Sequence, residues 1–341
     1  MGLINFAIDF GNGYVKAKSD KGSFVIPSKI GYADNIGSTS LGDSLDSETL
    51  DIHYYARKDE PTYVAGSDIE KAINPSQLVN TNSANNRYKM VAFKQLVDFS
   101  LAELSSYEDS KNIEVRLITG MPSNDIYMKE RKEAFERFLL GTHVVERDGD
   151  EWVINVKELK IIEQPLGTLL NVYLNDEMRV HKDLQEGTIV VIDFGSGTTI
   201  VDIYKNMKRI GGDTLNEGMI KFYKDIAFQA SNEYSDKIDS EYIEAGIKNK
   251  DFIAKFGEKA YDFKDFYKSM IFKKVQSVVG IYENEIGRES LVNGFLVTGG
   301  GSTFIGDDLI KQKGNFKVVD RPQTSTVEGY FKLAKSLGKG E

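Results

Sequence analysis

Hydrophobic and polar positions fall into blocks that read as strands and helices, and the order of blocks recurs along the chain. Leu3–Ile8 is a nearly continuous apolar run, the pattern of a strand covered on both faces; Val15–Lys18 and Ser23–Ile26 are the next β-prone pieces. From Gly31 to Glu60 the sequence is rich in Gly, Ser, Asp and Thr and reads as loop, with a strand near Ile52–Ala56. Tyr88–Leu104 has helical spacing, with Met90, Val91, Phe93, Leu96, Val97 and Leu101 on its apolar face. Ile113–Thr119 is a second buried strand. Gly120-Met121-Pro122-Ser123 then turns the chain, and Ser123 or Asp125 caps a helix running to about Leu140. Val153–Val156 and Leu159–Ile162 are strands.

The second half repeats this order. A helix over Leu166–Asn175 leads to a strand at Ile189–Ile192, and a helix over Asn216–Ala230 follows. Residues 231–285 are strongly charged, read as helical and have no counterpart in the first half, so they are expected to form an inserted subdomain. Phe295–Thr298 is a strand that runs into Gly299-Gly300-Gly301, and Val327–Leu337 is a final amphipathic helix. Strands alternating with helices in two matching halves predict an α/β protein of two related lobes.

Each half carries the same short motif at the end of an apolar strand: Asp9-Phe10-Gly11-Asn12-Gly13 and Asp193-Phe194-Gly195-Ser196-Gly197. Each is followed by a β-prone stretch, Tyr14-Val15-Lys16 and Thr198-Thr199-Ile200-Val201, so each reads as strand, tight turn, strand. Two glycines flanking a small polar residue let backbone N–H groups converge on a phosphate. Asn12 and Ser196 add side-chain hydrogen bonds, Thr198 and Thr199 hydroxyls, and Lys16 a positive charge. A carboxylate at the strand end, Asp9 or Asp193, is suited to Mg²⁺ held through its water shell. One such turn is equally well a plain hairpin; two copies roughly half a chain apart favour a site for a nucleotide triphosphate.

Composition narrows the classes. With 341 residues the chain has room for two domains, and 40% hydrophobic with 28% charged residues is ordinary for a soluble globular protein. No cysteine is present, which excludes disulfides and thiolate metal sites and makes a reducing, cytoplasmic home the simplest expectation. His53, His143 and His181 lack metal-ligand spacing. No apolar run approaches the ~20 residues of a membrane span, the N-terminus does not read as a signal peptide, and Phe6 is wrong for myristoylation at Gly2. A net charge of −9 argues against direct DNA binding. The Walker pattern is absent. His181-Lys182-Asp183-Leu184 looks like a kinase catalytic loop, but Thr188 stands where its Asn belongs and no kinase Gly-rich loop precedes it.

The two turns, the helix between them and the later Gly-Gly-Gly segment together resemble the actin/heat-shock-chaperone/sugar-kinase ATPase superfamily over nearly the whole chain. Leu117-Ile118-Thr119-Gly120-Met121-Pro122, followed by a charged helix, is similar to the Gly-Leu-Pro segment of the ParM/StbA plasmid-segregation branch. The resemblance implies an actin-like fold of two related, ribonuclease-H-like lobes with a nucleotide cleft between them. Lobe I is expected over 1–165, with an insertion at about 31–85 and the helix 326–341 packing back on it; lobe II over 166–325, with the inserted subdomain at about 216–285. Nucleotide contacts are implied for Gly11, Asn12, Gly13, Tyr14 and Lys16 in the first turn, Gly195, Ser196, Gly197 and Thr198 in the second, and Thr298, Gly299, Gly300, Gly301 and Ser302 around the nucleoside.

Phe304 is expected either to stack on the base or to sit in the core. Ile210–Glu217 looks like the turn and helix start that follow the second hairpin in bacterial actins, with Glu217 on the ribose. An acid or amide that orients the attacking water falls on Gln164, counting back from Pro165, or on Glu163. Asp9 and Asp193 are implied as catalytic carboxylates and Mg²⁺ holders. The family implies polymerisation with bound ATP or GTP, hydrolysis coupled to it, self-assembly into a filament, and a DNA-binding adaptor of the ParR type on a plasmid centromere, with no membrane partner. The alternatives are a small-molecule kinase or phosphatase of the same fold and a MreB/FtsA-like scaffold.

Overall fold

The computed structural model describes residues 2–36, 50–82, 86–175 and 187–338; His181–Leu184 and part of the insertion expected at about 31–85 lie outside them. The chain separates into two compact units, one made of Met1–Met121, Asp125–Gln164 and Tyr330–Glu341, the other of Pro122–Asn124 and Pro165–Gly329.

The first unit is built on a ten-stranded sheet. Its strands are β1 (Ile4–Phe10), β2 (Tyr14–Lys18), β3 (Ser23–Pro27), β4 (Lys29–Tyr32), β5 (His53–Ala56), β6 (Tyr63–Ala65), β7 (Val79–Asn80), β8 (Asn112–Met121), β9 (Gly141–Arg147) and β10 (Asp150–Glu163), ordered β3-β2-β1-β8-β10-β9-β5-β6-β4-β7. Helices α1 (Ile69–Ala72) and α2 (Val91–Ser105) precede β8; α3 (Ser123–Ile126) and α4 (Lys129–Leu139) follow it. Helix α2 is buried along most of its length, polar positions included. The Ser100 and Ser105 hydroxyls bond back to Leu96 and Leu101 carbonyls, and Glu103 accepts from Arg147 at 2.6 Å and from the Tyr55 hydroxyl at 2.7 Å. Paired in this way, the polar groups avoid the penalty of unsatisfied burial. Val91, expected on the apolar face, is instead 72% exposed at the first turn of the helix.

The second unit holds a five-stranded sheet, β13-β12-β11-β16-β17. In chain order its elements are α5 (Gln164–Tyr173), β11 (Thr188–Phe194), β12 (Thr199–Lys205), β13 (Lys208–Leu215), α6 (Met219–Tyr234), α7 (Ser240–Lys248), the hairpin β14 (Ile253–Phe256) and β15 (Lys259–Asp262), α8 (Lys264–Ile286), β16 (Gly294–Thr298), α9 (Ser302–Gln312), β17 (Phe316–Val318) and the start of α10 (Ser325–Gly338), which from Tyr330 onward belongs to the first unit. The sheet carries the duplication. β1 pairs antiparallel with β2 and parallel with β8, as β11 does with β12 and β16. The register is shared as well: Phe10 faces Val15 and Phe194 faces Thr199, each across a four-residue turn. The strand parallel to the first of each pair ends alike, in Thr119-Gly120-Met121-Pro122-Ser123 and in Thr298-Gly299-Gly300-Gly301-Ser302.

The structure departs from the sequence reading at several turns. Val153–Val156 and Leu159–Ile162 form one strand with a bulge between Val156 and Glu158. Its partner β9 was not expected; Asp148-Gly149, both at positive φ, close that hairpin as an Asp-Gly turn does. The helix expected to Leu140 is interrupted at Tyr127–Met128. The stretch 231–285 is not wholly helical, because Gly257, at φ +59, turns Phe256 back on Lys259 in the hairpin β14–β15. Ile210–Leu215, expected as turn and helix start, is strand β13 paired along β12, and α6 begins only at Met219. Among the described residues no helix is long and apolar enough to cross a membrane.

The ring of Phe10 anchors the first turn to the core. It packs edge-on against Phe93 and Phe135, each 5.9 Å away, and those two rings stack at 5.8 Å. Phe135 is 1% exposed. Phe135→Ala is expected to destabilise the protein by about 3–5 kcal/mol, the sum of lost transfer energy and a residual cavity. Urea unfolding measures this, and a loss below about 1 kcal/mol would contradict the packing.

Candidate functional site

In the first unit, β1 delivers Asp9 and Phe10 to the turn, and Asp9 is 5% exposed. Its Oδ2 accepts from Lys16 Nζ at 2.9 Å and its Oδ1 from Gln164 Nε2 at 3.0 Å. The expected positive charge of Lys16 is therefore spent first on Asp9. Gln164 opens α5 with its amide on that carboxylate, while Glu163, the last residue of β10, accepts from the Tyr127 hydroxyl at 2.8 Å. The structure thus separates the two candidates for orienting water: Gln164 faces Asp9, and Glu163 faces Tyr127. Gly11 has no room for a side chain, since a Cβ there would lie 2.7 Å from the Tyr14 carbonyl oxygen.

The carbonyl oxygens of Phe10, Gly11 and Gly13 are engaged. Phe10 O accepts from Arg87 Nη1 at 2.6 Å, and Gly11 O from Arg87 Nη2 at 2.9 Å and the Ser28 hydroxyl at 2.6 Å. Gly13 O accepts from the Ser28 N–H at 2.8 Å. Arg87 Nη1 also reaches Asn12 Oδ1 at 3.1 Å. Tyr14 is 38% exposed at the turn's end.

In the second unit, Gly195, Ser196, Gly197 and Thr198 form the matching turn. Carbonyl oxygens of Gly195, Ser196 and Gly197 accept from the N–H groups of Met219, Ile220 and Gly218 at 3.0, 3.0 and 3.1 Å. The first N–H groups of a helix lack intrahelical partners, and here they secure the turn. The Thr199 hydroxyl, expected toward phosphate, donates to Glu217 O at 2.9 Å. Lys274 Nζ donates to the same oxygen at 2.8 Å and lies over the rings of Phe194 and Phe222, 5.4 and 5.7 Å from their centroids. Glu217 itself is exposed. A cavity of about 620 Å³ beside it, between α6 and α8, is lined by Glu217, Lys221, Phe228, Phe272, Lys274 and Ser277.

The Gly-Gly-Gly segment belongs to this site. Gly299 has φ +89, and a Cβ there would stand 2.2 Å from Asp193 Oδ1; Gly301 N–H donates to Phe194 O at 3.0 Å. Gly300 continues the segment, with Gln323 Cγ the nearest atom at 3.8 Å from a Cβ placed there. Thr298 and Ser302, expected as nucleotide contacts, turn inward. The Thr298 hydroxyl is buried, donating to Pro322 O at 3.1 Å and accepting from Thr168 at 3.1 Å, and the Ser302 hydroxyl donates to Gly299 O at 2.7 Å. Phe304 packs on the core of the second unit, with the Lys248 ammonium 5.5 Å from its ring centroid.

Each turn thus pairs a backbone whose carbonyls are tied back with one aspartate. Among the described residues no three His, Cys, Asp or Glu side chains converge as a metal cage. Single carboxylates suit Mg²⁺, which keeps several waters and completes its shell with phosphate oxygens. Arg87, Ser28 and Lys274 were missed at the sequence level. They are isolated residues in loop or helix, and only the fold brings them to the turns.

Residues 7–167 match the family described as actin like proteins N terminal domain. Among solved structures, the apo ParM protein of pSK41 is 33% identical, with a TM-score of 0.78, over 100% of this chain and 99% of that one. An archaeal actin homologue, Ta0583, is 18% identical with a TM-score of 0.78, over 98% of this chain and 100% of that one. A ParM from Clostridium botulinum, solved as a 15-stranded filament, is 19% identical with a TM-score of 0.76, over 98% and 100%. These last two show the shared fold. No curated protein matches the chain.

Burial draws the Lys274 amine down to about 8 from its ordinary 10.5; Glu217 and Asp225 pull it back up and Lys221 pushes it further down. Between those values the unfolded chain holds a proton that the folded chain has released, so stability rises with pH across that window. Lys274→Met is expected to remove this rise. Urea unfolding of both proteins at about pH 7.5 and about pH 10 tests it. A wild-type advantage that grows toward the higher pH is the expected result, and one that stays constant would count against the burial of the amine.

Proposed function

The chain belongs to the ParM family of actin-like proteins, and we propose that it is a filament-forming nucleotidase that assembles with bound Mg-ATP or Mg-GTP and moves plasmid DNA in the cytoplasm. The observation that carries the reading is the doubled turn: two four-residue loops in the same register, each with three carbonyl oxygens at or beside it tied back and each headed by an aspartate. A hairpin made only for chain reversal does not require its carbonyls to be drawn to one side twice. The whole-length likeness to the pSK41 ParM and the filament formed by the Clostridium botulinum ParM support self-assembly.

In this reading the N–H groups of Gly11–Tyr14 and Gly195–Thr198 bind phosphate oxygens, with Asn12 and Ser196 adding side-chain contacts. Gly299–Ser302 and Glu217 bind the nucleoside. Mg²⁺, when bound, neutralises charge on the phosphates, and Asp9 and Asp193 are the side chains to hold its water shell. Gln164 donates its amide N–H to Asp9, which leaves Oε1 to accept a hydrogen bond from a water and orient it for in-line attack. Catalysis of this kind is chiefly positioning and charge stabilisation. A net charge of −9 leaves DNA contact to a basic adaptor of the ParR type on the plasmid centromere.

Light scattering and sedimentation with Mg²⁺ and ATP, GTP or a non-hydrolysable analogue are expected to show nucleotide-dependent assembly, with phosphate release following. Asp193→Ala is expected to abolish Mg-dependent release, and Gln164→Ala to slow it by about 10²-fold while assembly persists. A protein that stays monomeric with every nucleotide and transfers phosphate to a metabolite would replace this reading with a kinase. Normal turnover by Asp193→Ala would remove the site assignment.

A further inference from the structure

The two Asp-Phe-Gly turns share sequence and register, yet different groups hold them. In a trans peptide the N–H lies antiparallel to the preceding C=O. When the start of α6 takes the carbonyls of Gly195, Ser196 and Gly197, the N–H groups of Ser196, Gly197 and Thr198 are turned the opposite way. That is the geometry of an anion-binding nest. In the first turn the corresponding work falls to Arg87 and Ser28, Ser28 taking Gly11 O with its hydroxyl and Gly13 O with its N–H. Arg87 takes Phe10 O and Gly11 O on the two prongs of its guanidinium and steadies Asn12 Oδ1. The N–H groups of Gly11 and Asn12 are thereby aimed away from it.

Packing alone does not explain an arginine at this position. The residue is 6% exposed, and its guanidinium lies 4.2 Å from the centroid of Phe93, the ring against which Phe10 packs. Among the described residues its buried Nε has no hydrogen-bond partner. Burying a cation is costly, and an orphaned donor adds to the cost. A methionine would fill the same space against Phe93 without either penalty. What methionine lacks is the rigid fork that two neighbouring carbonyls require.

We propose that Arg87 is a positioning residue of the first phosphate turn, holding its peptide planes in the anion-binding orientation that the start of α6 imposes on the second. The proposal rests on reading Gly11–Tyr14 as a phosphate turn. Arg87 acts through the backbone of Gly11 and Asn12 rather than by touching the phosphate.

Equilibrium binding of ATP, GTP and ADP with Mg²⁺ to the full chain tests it, with Arg87→Met, Arg87→Lys and a core control, Leu101→Ala, compared by melting temperature. Arg87→Met is expected to weaken nucleotide binding at least tenfold. Leu101→Ala should lose melting temperature while binding within twofold of wild type. Arg87→Lys, which keeps the charge but not the fork, should fall between. Binding by Arg87→Met within twofold of wild type, or no weaker than that of the control, overturns the proposal. Should Arg87→Met not be recovered folded, Arg87→Lys decides, and wild-type affinity in it overturns the role of the fork. A wild-type protein that binds none of the three nucleotides removes the phosphate reading and this proposal with it, an outcome distinct from a variant that binds normally.

Discussion

A phosphate presents acceptors only, so a backbone turn that grips one must show it N–H groups, and each N–H shown sends the preceding carbonyl the other way. Those carbonyls cannot be left unpaired in a protein interior. In the proposed function, much of the architecture around the two Asp-Phe-Gly turns answers this requirement. Strands β1 and β11 deliver the turn, and a third group behind it receives the carbonyls: the start of α6 in one unit, and Arg87 with Ser28 in the other. The rings of Phe10 and Phe194 then fix each turn to its own hydrophobic core.

The local plan was legible because it is written in contiguous residues. The buried strands announce themselves as apolar runs. The repeated Asp-Phe-Gly marks the duplication, and the parallel and antiparallel pairings of β1 and β11 bear it out. The actin-like fold followed from the same motifs, and the 33% identity to the pSK41 ParM over the whole chain supports the branch that Gly120-Met121-Pro122 suggested. Where the reading went astray, a two-residue turn was hidden among charges. Asp148-Gly149 and Gly257 close hairpins whose strands are too polar or too short to stand out by alternation.

Side-chain direction was the least legible feature. Thr298 and Ser302 sit where a nucleotide contact is expected, yet their hydroxyls are consumed by Pro322, Thr168 and Gly299. Lys16 belongs to the first turn, but its ammonium is paired with Asp9. Nothing in a single sequence signals that Arg87, in a short 3₁₀ turn some seventy residues beyond Gly11, will share two hydrogen bonds with that turn's backbone. Such pairings are decided by which polar groups the fold buries together, and that depends on the path of the chain rather than on spacing.

The segments Thr119–Ser123 and Thr298–Ser302 occupy matching places beside the two turns and share a Thr-Gly start and a Ser end. Their glycines nevertheless serve different neighbours. A side chain on Gly120 would strike the Tyr330 hydroxyl, whereas one on Gly299 would strike the carboxylate of Asp193. The halves have therefore specialised past interchange. The glycine after the threonine is closed off by a tyrosine hydroxyl in one and by a carboxylate in the other. The shared plan is kept in the strands, while the groups that hold the turns differ.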